Sequence, residues 1–140
     1  MKRFLKLLSM LLTTVILCIS LVPLFVSAES QISPCYVNTN TCDLHFDIAG
    51  NSAESVVTYI AQENTFSYAS VYVKIQKRFL GVFWSTVDEW TETCYDVYGT
   101  LYHITTLEDT GTYRAVFTVE IYGKDGSVDT IEDKITSTYE

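Results

Sequence analysis

Ten residues near the end of the chain, Tyr113 to Tyr122, alternate almost without fault. Tyr113, Ala115, Phe117, Val119 and Ile121 share one side; Arg114, Thr118, Glu120 and Tyr122 share the other, with Val116 the only apolar residue there. A period of two is the mark of a strand with one buried face, because successive side chains leave a strand on opposite sides. Lys124-Asp125-Gly126-Ser127 follows at once. Asp-Gly tolerates positive φ, so a type I′ hairpin turn and a return strand are expected there. A chain with this segment must supply a second sheet, or more of its own, to cover the apolar side.

The rest repeats the pattern at regular intervals. Strands are predicted over Ile32–Val37, Thr41–Ile48, Glu54–Ala61, Ser67–Gln76, Val82–Trp90 and Leu101–Thr106, with turns at Asn38–Asn40, Gly50–Ser52 and Lys77–Gly81. Cys42, Leu44, Phe46 and Ile48 form one inward face, and Ala69, Val71, Val73 and Ile75 another. The inward face of Glu54–Ala61 is ambiguous. Trp84, Val87 and Trp90 share no strict face, which a bulge near Thr86 would reconcile. Tyr102 and Ile104 are expected inward, and Thr91–Thr100 is expected as a polar connection. With the last hairpin this makes eight candidate strands, no helical pattern and no repeat. The fold expected is all-β: an antiparallel β-sandwich of about 7–8 strands.

The first 28 residues read as an address. Lys2, Arg3 and Lys6 form a basic head, Leu7–Val26 is mostly apolar, and Val26-Ser27-Ala28 suits signal peptidase. A retained anchor is the other reading of such a run, but Thr13, Thr14, Ser20 and Pro23 interrupt it. Val15-Ile16-Leu17 before Cys18 does not fit a lipoprotein site. Residues 1–28 are therefore assigned to a signal peptide and 29–140 to a single domain, secreted and without a membrane anchor. The leader carries three of the nine basic residues and none of the 17 acidic ones, so the remainder is strongly acidic. That balance argues against nucleic acid as a partner.

Secretion makes a disulfide plausible among Cys35, Cys42 and Cys94, leaving one thiol over. Spacing does not choose the pair: Cys35–Cys42 would staple the first two strands, and Cys42–Cys94 is the close alternative. No zinc spacing is present.

Leu107-Glu108-Asp109-Thr110-Gly111-Thr112-Tyr113 resembles the corner before strand F of immunoglobulin-like domains, in which Asp-x-Gly-x-Tyr places a tyrosine hydroxyl on nearby backbone. The disulfide cysteine of antibody domains would stand at Ala115. More broadly the chain resembles small secreted immunoglobulin-like β-sandwich proteins of Gram-positive bacteria. The resemblance rests on Ile32–Cys42 (ISPCYVNTNTC), the tryptophan-bearing Val71–Trp90 and the closing Gly111–Val128. It implies a secreted sandwich and no particular activity. Those proteins usually have a polar turn where this chain has the apolar surroundings of Phe79.

Chemistry-bearing residues are few. His45, between Asp43 and Asp47, reads as part of a solvated strand face rather than an acid–base or metal site. His103 is expected in solvent as well. Cys94 has no evident base and no serine lies in a nucleophile motif. Asp125, Asp129, Glu132 and Asp133 cluster near the last turn without calcium-loop spacing, so a solvated edge is the simpler account. No catalytic residue, metal or cofactor is assigned. Arg78–Trp84 (RFLGVFW) stands apart: Phe79, Leu80, Val82, Phe83 and Trp84 crowd one hairpin. They either fold over an open end of the sandwich or form a binding surface. The role expected is a non-catalytic extracellular binding or structural module; the alternative is a secreted effector, a small toxin or inhibitor acting on other cells or their enzymes.

Overall fold

A computed structural model describes residues 36–140. The expected signal peptide, its cleavage site, Cys35 and most of the strand from Ile32 fall outside those residues. Seven strands follow: β1 (Thr39–Ala49), β2 (Ser52–Ala61), β3 (Phe66–Phe79), β4 (Phe83–Cys94), β5 (Tyr98–Thr106), β6 (Gly111–Gly123) and β7 (Val128–Tyr139). They form two antiparallel sheets, β1-β2-β5 and β4-β3-β6-β7. This is a sandwich of immunoglobulin-like order, with β4 beside β3 rather than on the opposite sheet as in antibody constant-type domains.

The centre of the core comes from the two strands with the clearest alternation. Val71, Val73 and Ile75 of β3 lie beside Val119, Phe117 and Ala115 of β6, all buried. Val57 and Tyr59 of β2, with Phe46 and Leu101, cover them from the other sheet. Burying such side chains contributes roughly 1.5–3 kcal/mol each, which is why these strands dictate the register of the rest. Tyr59 is accommodated because its cross-strand neighbour is Gly99: a β-carbon there would stand 2.6 Å from the Tyr59 ring.

The corner expected at Asp109–Tyr113 is formed. Tyr113 is buried, and its hydroxyl donates to the Asp109 carbonyl, 2.5 Å away. The bulge expected near Thr86 is also present: Gln76 pairs with Thr86 and Ile75 with Asp88, leaving Val87 as the extra residue. After it, Trp90 turns inward against the core.

Other expectations are corrected. Tyr36 and Val37 precede the first strand rather than forming one, and Thr39 already belongs to β1 instead of a turn. The connection between β4 and β5 is only residues 95–97, because both strands extend into the polar Thr91–Thr100 region. On β5 the faces are reversed: Leu101 and Thr105 are buried, while Tyr102 and Ile104 face out. In the last hairpin only Gly126 takes positive φ (85°). With Gly126 N–H donating to the Gly123 carbonyl and Gly123 N–H to that of Ser127, the turn is a longer loop closed by a left-handed glycine, not type I′. The type I′ signature occurs instead at Leu80-Gly81, where φ is 49° and 74°.

Asp129 does not belong to a solvated acidic edge. It is buried, and its carboxylate accepts the N–H of Val37 (3.1 Å) and Asn38 (2.6 Å) and the Thr39 hydroxyl (3.0 Å). These bonds clamp the chain entering β1 to the start of β7. Asp125 is exposed, and hydrogen bonds from the Ser127 hydroxyl and N–H hold its carboxyl below the usual range.

Candidate functional site

The β3–β4 hairpin runs past the point where the opposite sheet can cover it. Phe79 and Phe83 are the last paired residues, and the Val82 N–H closes the turn on the Phe79 carbonyl at 3.2 Å. Beyond the core, alternation no longer leads inward. Phe79, Leu80, Val82 and Phe83 are 60, 75, 70 and 64% exposed. Of the five apolar residues singled out from the sequence, only Trp84 is partly covered.

The tip is braced from below. The Arg78 side chain donates from Nε to the Gly81 carbonyl at 2.6 Å. The Arg114 guanidinium lies over the Trp84 ring, 4.1 Å from its centre, and donates from Nε to Gln76 at 2.9 Å. Lys77 pairs with Asp109 at 2.9 Å, which holds its ammonium pKa above the usual value. Most of the domain's few cations (Lys74, Lys77, Arg78, Arg114) thus sit on β3 and β6 toward this end of an otherwise acidic molecule. Leu80 adds a further feature. A branched side chain at positive φ is disfavoured where Asn or Gly would be at ease, so the turn holds an apolar residue outward at a cost of roughly 1–2 kcal/mol. A recess of about 300 Å³ lies beside the hairpin's base, lined by Lys77, Val87, Leu107, Asp109 and Tyr113 among others.

The remaining polar groups are wired for structure. His103, expected in solvent, is half-buried between the sheets, its Nε2 3.1 Å from Asp88, which also accepts from Thr105 at 2.6 Å. Burial opposes the Asp88 charge, but bonds from Thr105, His103 and the Glu89 N–H outweigh it and hold its pKa below the usual range. Ser55 lies nearby, yet its hydroxyl donates to the His103 carbonyl and accepts from the Trp90 indole. No nucleophile–base pair results, because the serine oxygen meets the histidine backbone and not its ring. The β4 bulge sets this cluster by turning Asp88 inward, a change of face that alternation alone does not reveal.

Among the described residues, Cys42 and Cys94 carry free thiols and do not pair with each other; Cys35, the other candidate partner of Cys42, lies outside them. Burial pushes the Cys42 thiol up to about 11 and raises that of Cys94, which lies against Tyr59. Neither is an activated nucleophile. His45 is exposed on β1, as expected. Among the described residues, no group of three His, Cys, Asp or Glu side chains is placed to hold a metal. On the outer face of the larger sheet, Tyr68 stacks on Tyr122 (4.3 Å between centres, 11° between planes) with Tyr95 beside them. Rings stacked on one another leave little free face for a sugar, so this row reads as strand-to-strand packing.

No family model and no curated protein sequence matches the chain. Among solved structures it is similar to the crystal structure of Spo0M, a sporulation control protein from Bacillus subtilis, at 10% identity and a TM-score of 0.37, over 71% of this chain and 49% of that one. The chain therefore spans about half the length of that protein.

Proposed function

We propose that the protein is exported and acts outside the cell as a non-catalytic binding module whose contact surface is the tip of the β3–β4 hairpin. The observation that carries this reading is the exposure of Phe79, Leu80, Val82 and Phe83 together on one braced turn. Leaving such side chains in water forgoes roughly 1.5–3 kcal/mol apiece relative to burial. A protein surface with an apolar recess recovers that energy, and Lys77, Arg78 and Arg114 around the tip favour an acidic rim on it. Export is supported by the basic head, the apolar run and Val26-Ser27-Ala28, and the mature protein begins at Glu29.

The test pairs Phe79→Ser with Leu80→Ser and reads the thermal midpoint together with binding to intact cells. The double variant keeps its midpoint and loses most of its binding. Unfolding of the variant would place these residues in the core. Unchanged binding by a folded variant would move the contact surface elsewhere. N-terminal sequencing of protein from the medium checks the start at Glu29.

A further inference from the structure

Each sheet has two outer strands, and three of these four edges carry devices that discourage pairing with another chain. β1 sets Asp43, His45 and Asp47 outward. β4 has its bulge at Val87 and bears Asp88, Glu89 and Glu92. β7 carries Asp129, Glu132, Asp133 and Lys134. β5 has none of these. Tyr98-Gly99-Thr100-Leu101-Tyr102-His103-Ile104-Thr105-Thr106 contains no acidic residue, Lys, Arg or Pro, and its register with β2 runs unbroken from end to end.

The hydrogen bonds at the two ends of this ladder show which backbone groups are free. Ala61 N–H donates to the Val97 carbonyl and Leu107 N–H to the Asn51 carbonyl, each at 2.7 Å. In an antiparallel pair, bonded and non-bonded positions alternate. Gly99, Leu101, His103 and Thr105 are therefore bonded to β2. Tyr98, Thr100, Tyr102, Ile104 and Thr106 aim their N–H and carbonyl groups at the open side, where no described strand lies. The same residues point their side chains outward, with Tyr98, Tyr102 and Ile104 75, 57 and 50% exposed. Open backbone groups and an apolar stripe thus coincide on one neutral strand.

We infer that β5 is a self-association edge, on which two copies of the chain pair their β5 strands antiparallel about a two-fold axis at Tyr102 and join two three-stranded sheets into one. The register follows from the chemistry. Pairing Tyr98 with the second copy's Thr106, Thr100 with its Ile104, and Tyr102 with its Tyr102 gives every open donor an open acceptor. It also sets an aromatic pair at the axis and β-branched residues on either side, both favourable across strands. The second copy is the favoured occupant because the strand is self-complementary in this register. It also presents no charge at the seam, so two strongly acidic molecules meet where neither opposes a like charge. The contact is small, and the dimer is accordingly weak and concentration-dependent.

Sedimentation equilibrium over a wide concentration range, combined with amide exchange by NMR, tests this. Dimer forms as concentration rises, and protection grows at Tyr98, Thr100, Tyr102, Ile104 and Thr106 while their bonded neighbours on β5 stay protected throughout. Tyr102→Lys places two cations against each other at the axis and weakens the dimer about tenfold, with the monomer's unfolding curve as the control for folding. Thr100→Glu and Ile104→Lys each weaken it, and the two together in one chain restore it through a Glu–Lys pair on each side of the axis. A monomer at every concentration overturns the inference. So does a dimer indifferent to Tyr102→Lys but dispersed by the Phe79→Ser, Leu80→Ser pair, which would place self-association at the hairpin. Protection of these amides only on adding another extended peptide would make β5 a docking edge for a different partner, and also overturns it.

Discussion

The Tyr113 phenol donates to the backbone carbonyl of Asp109, four residues before it, at 2.5 Å. The bond joins the loop leaving β5 to the start of β6 and satisfies a hydroxyl that would otherwise be buried unpaired. Tyr113→Phe keeps the ring and removes the donor. The variant should lose about 1 kcal/mol in urea-induced unfolding, with its slope unchanged. An unaltered midpoint would mean that the bond adds nothing to the corner.

Asp129 receives two N–H groups and a hydroxyl from the segment leading into β1, 90 to 92 residues away in sequence. Asp129→Ala strips three donors, those of Asn38 and Thr39 buried, of their acceptor at once. A loss of about 2–4 kcal/mol is expected, and amide exchange should quicken at Val37 and Asn38 before it does in β1.

Leu80 holds positive φ with its side chain in water. Leu80→Asn suits that backbone and removes an exposed apolar group. It should raise stability by roughly 0.5–1 kcal/mol while reducing binding at the hairpin. A variant that is less stable than the parent would show that Leu80 is packed rather than displayed.

Asp88 has a depressed pKa, so its contribution to stability is present above the ordinary aspartate range and fades as pH falls through the folded-state value. Asp88→Asn should cost about 1 kcal/mol at neutral pH, a modest figure because the carboxylate is one-third exposed and partly screened. The gap between parent and variant should close below pH of about 4. A gap independent of pH would assign the loss to geometry and not to charge.

The two thiols offer a simple check on the core. With Cys42 raised to about 11 by burial and Cys94 raised as well, little thiolate exists at neutral pH. A disulfide reagent should modify both slowly in the folded protein and rapidly in urea. Fast modification of the native state would show that the region around Tyr59 opens readily.

Alternation along β3 and β6, the corner at Asp109–Tyr113, the bulge near Thr86 and the apolar hairpin were all legible in the sequence, because each is written in neighbouring residues. A period of two, an Asp-x-Gly-x-Tyr run and a crowd of aromatics need no distant partner to be recognised. What lay across the sandwich was not legible. On β5 the sequence offers Leu101, His103 and Thr105 on one side and Tyr102 and Ile104 on the other, and hydrophobicity favours the second as the inner face. The structure puts the first inside, since Leu101 meets the core and His103 and Thr105 find Asp88 there. Asp129 likewise looks like a surface charge until the segment before β1 folds over it. Strand sequence determines that two faces differ. Which face is buried, and which polar groups are satisfied inside, is decided by the side chains that another strand brings to the opposite side of the core.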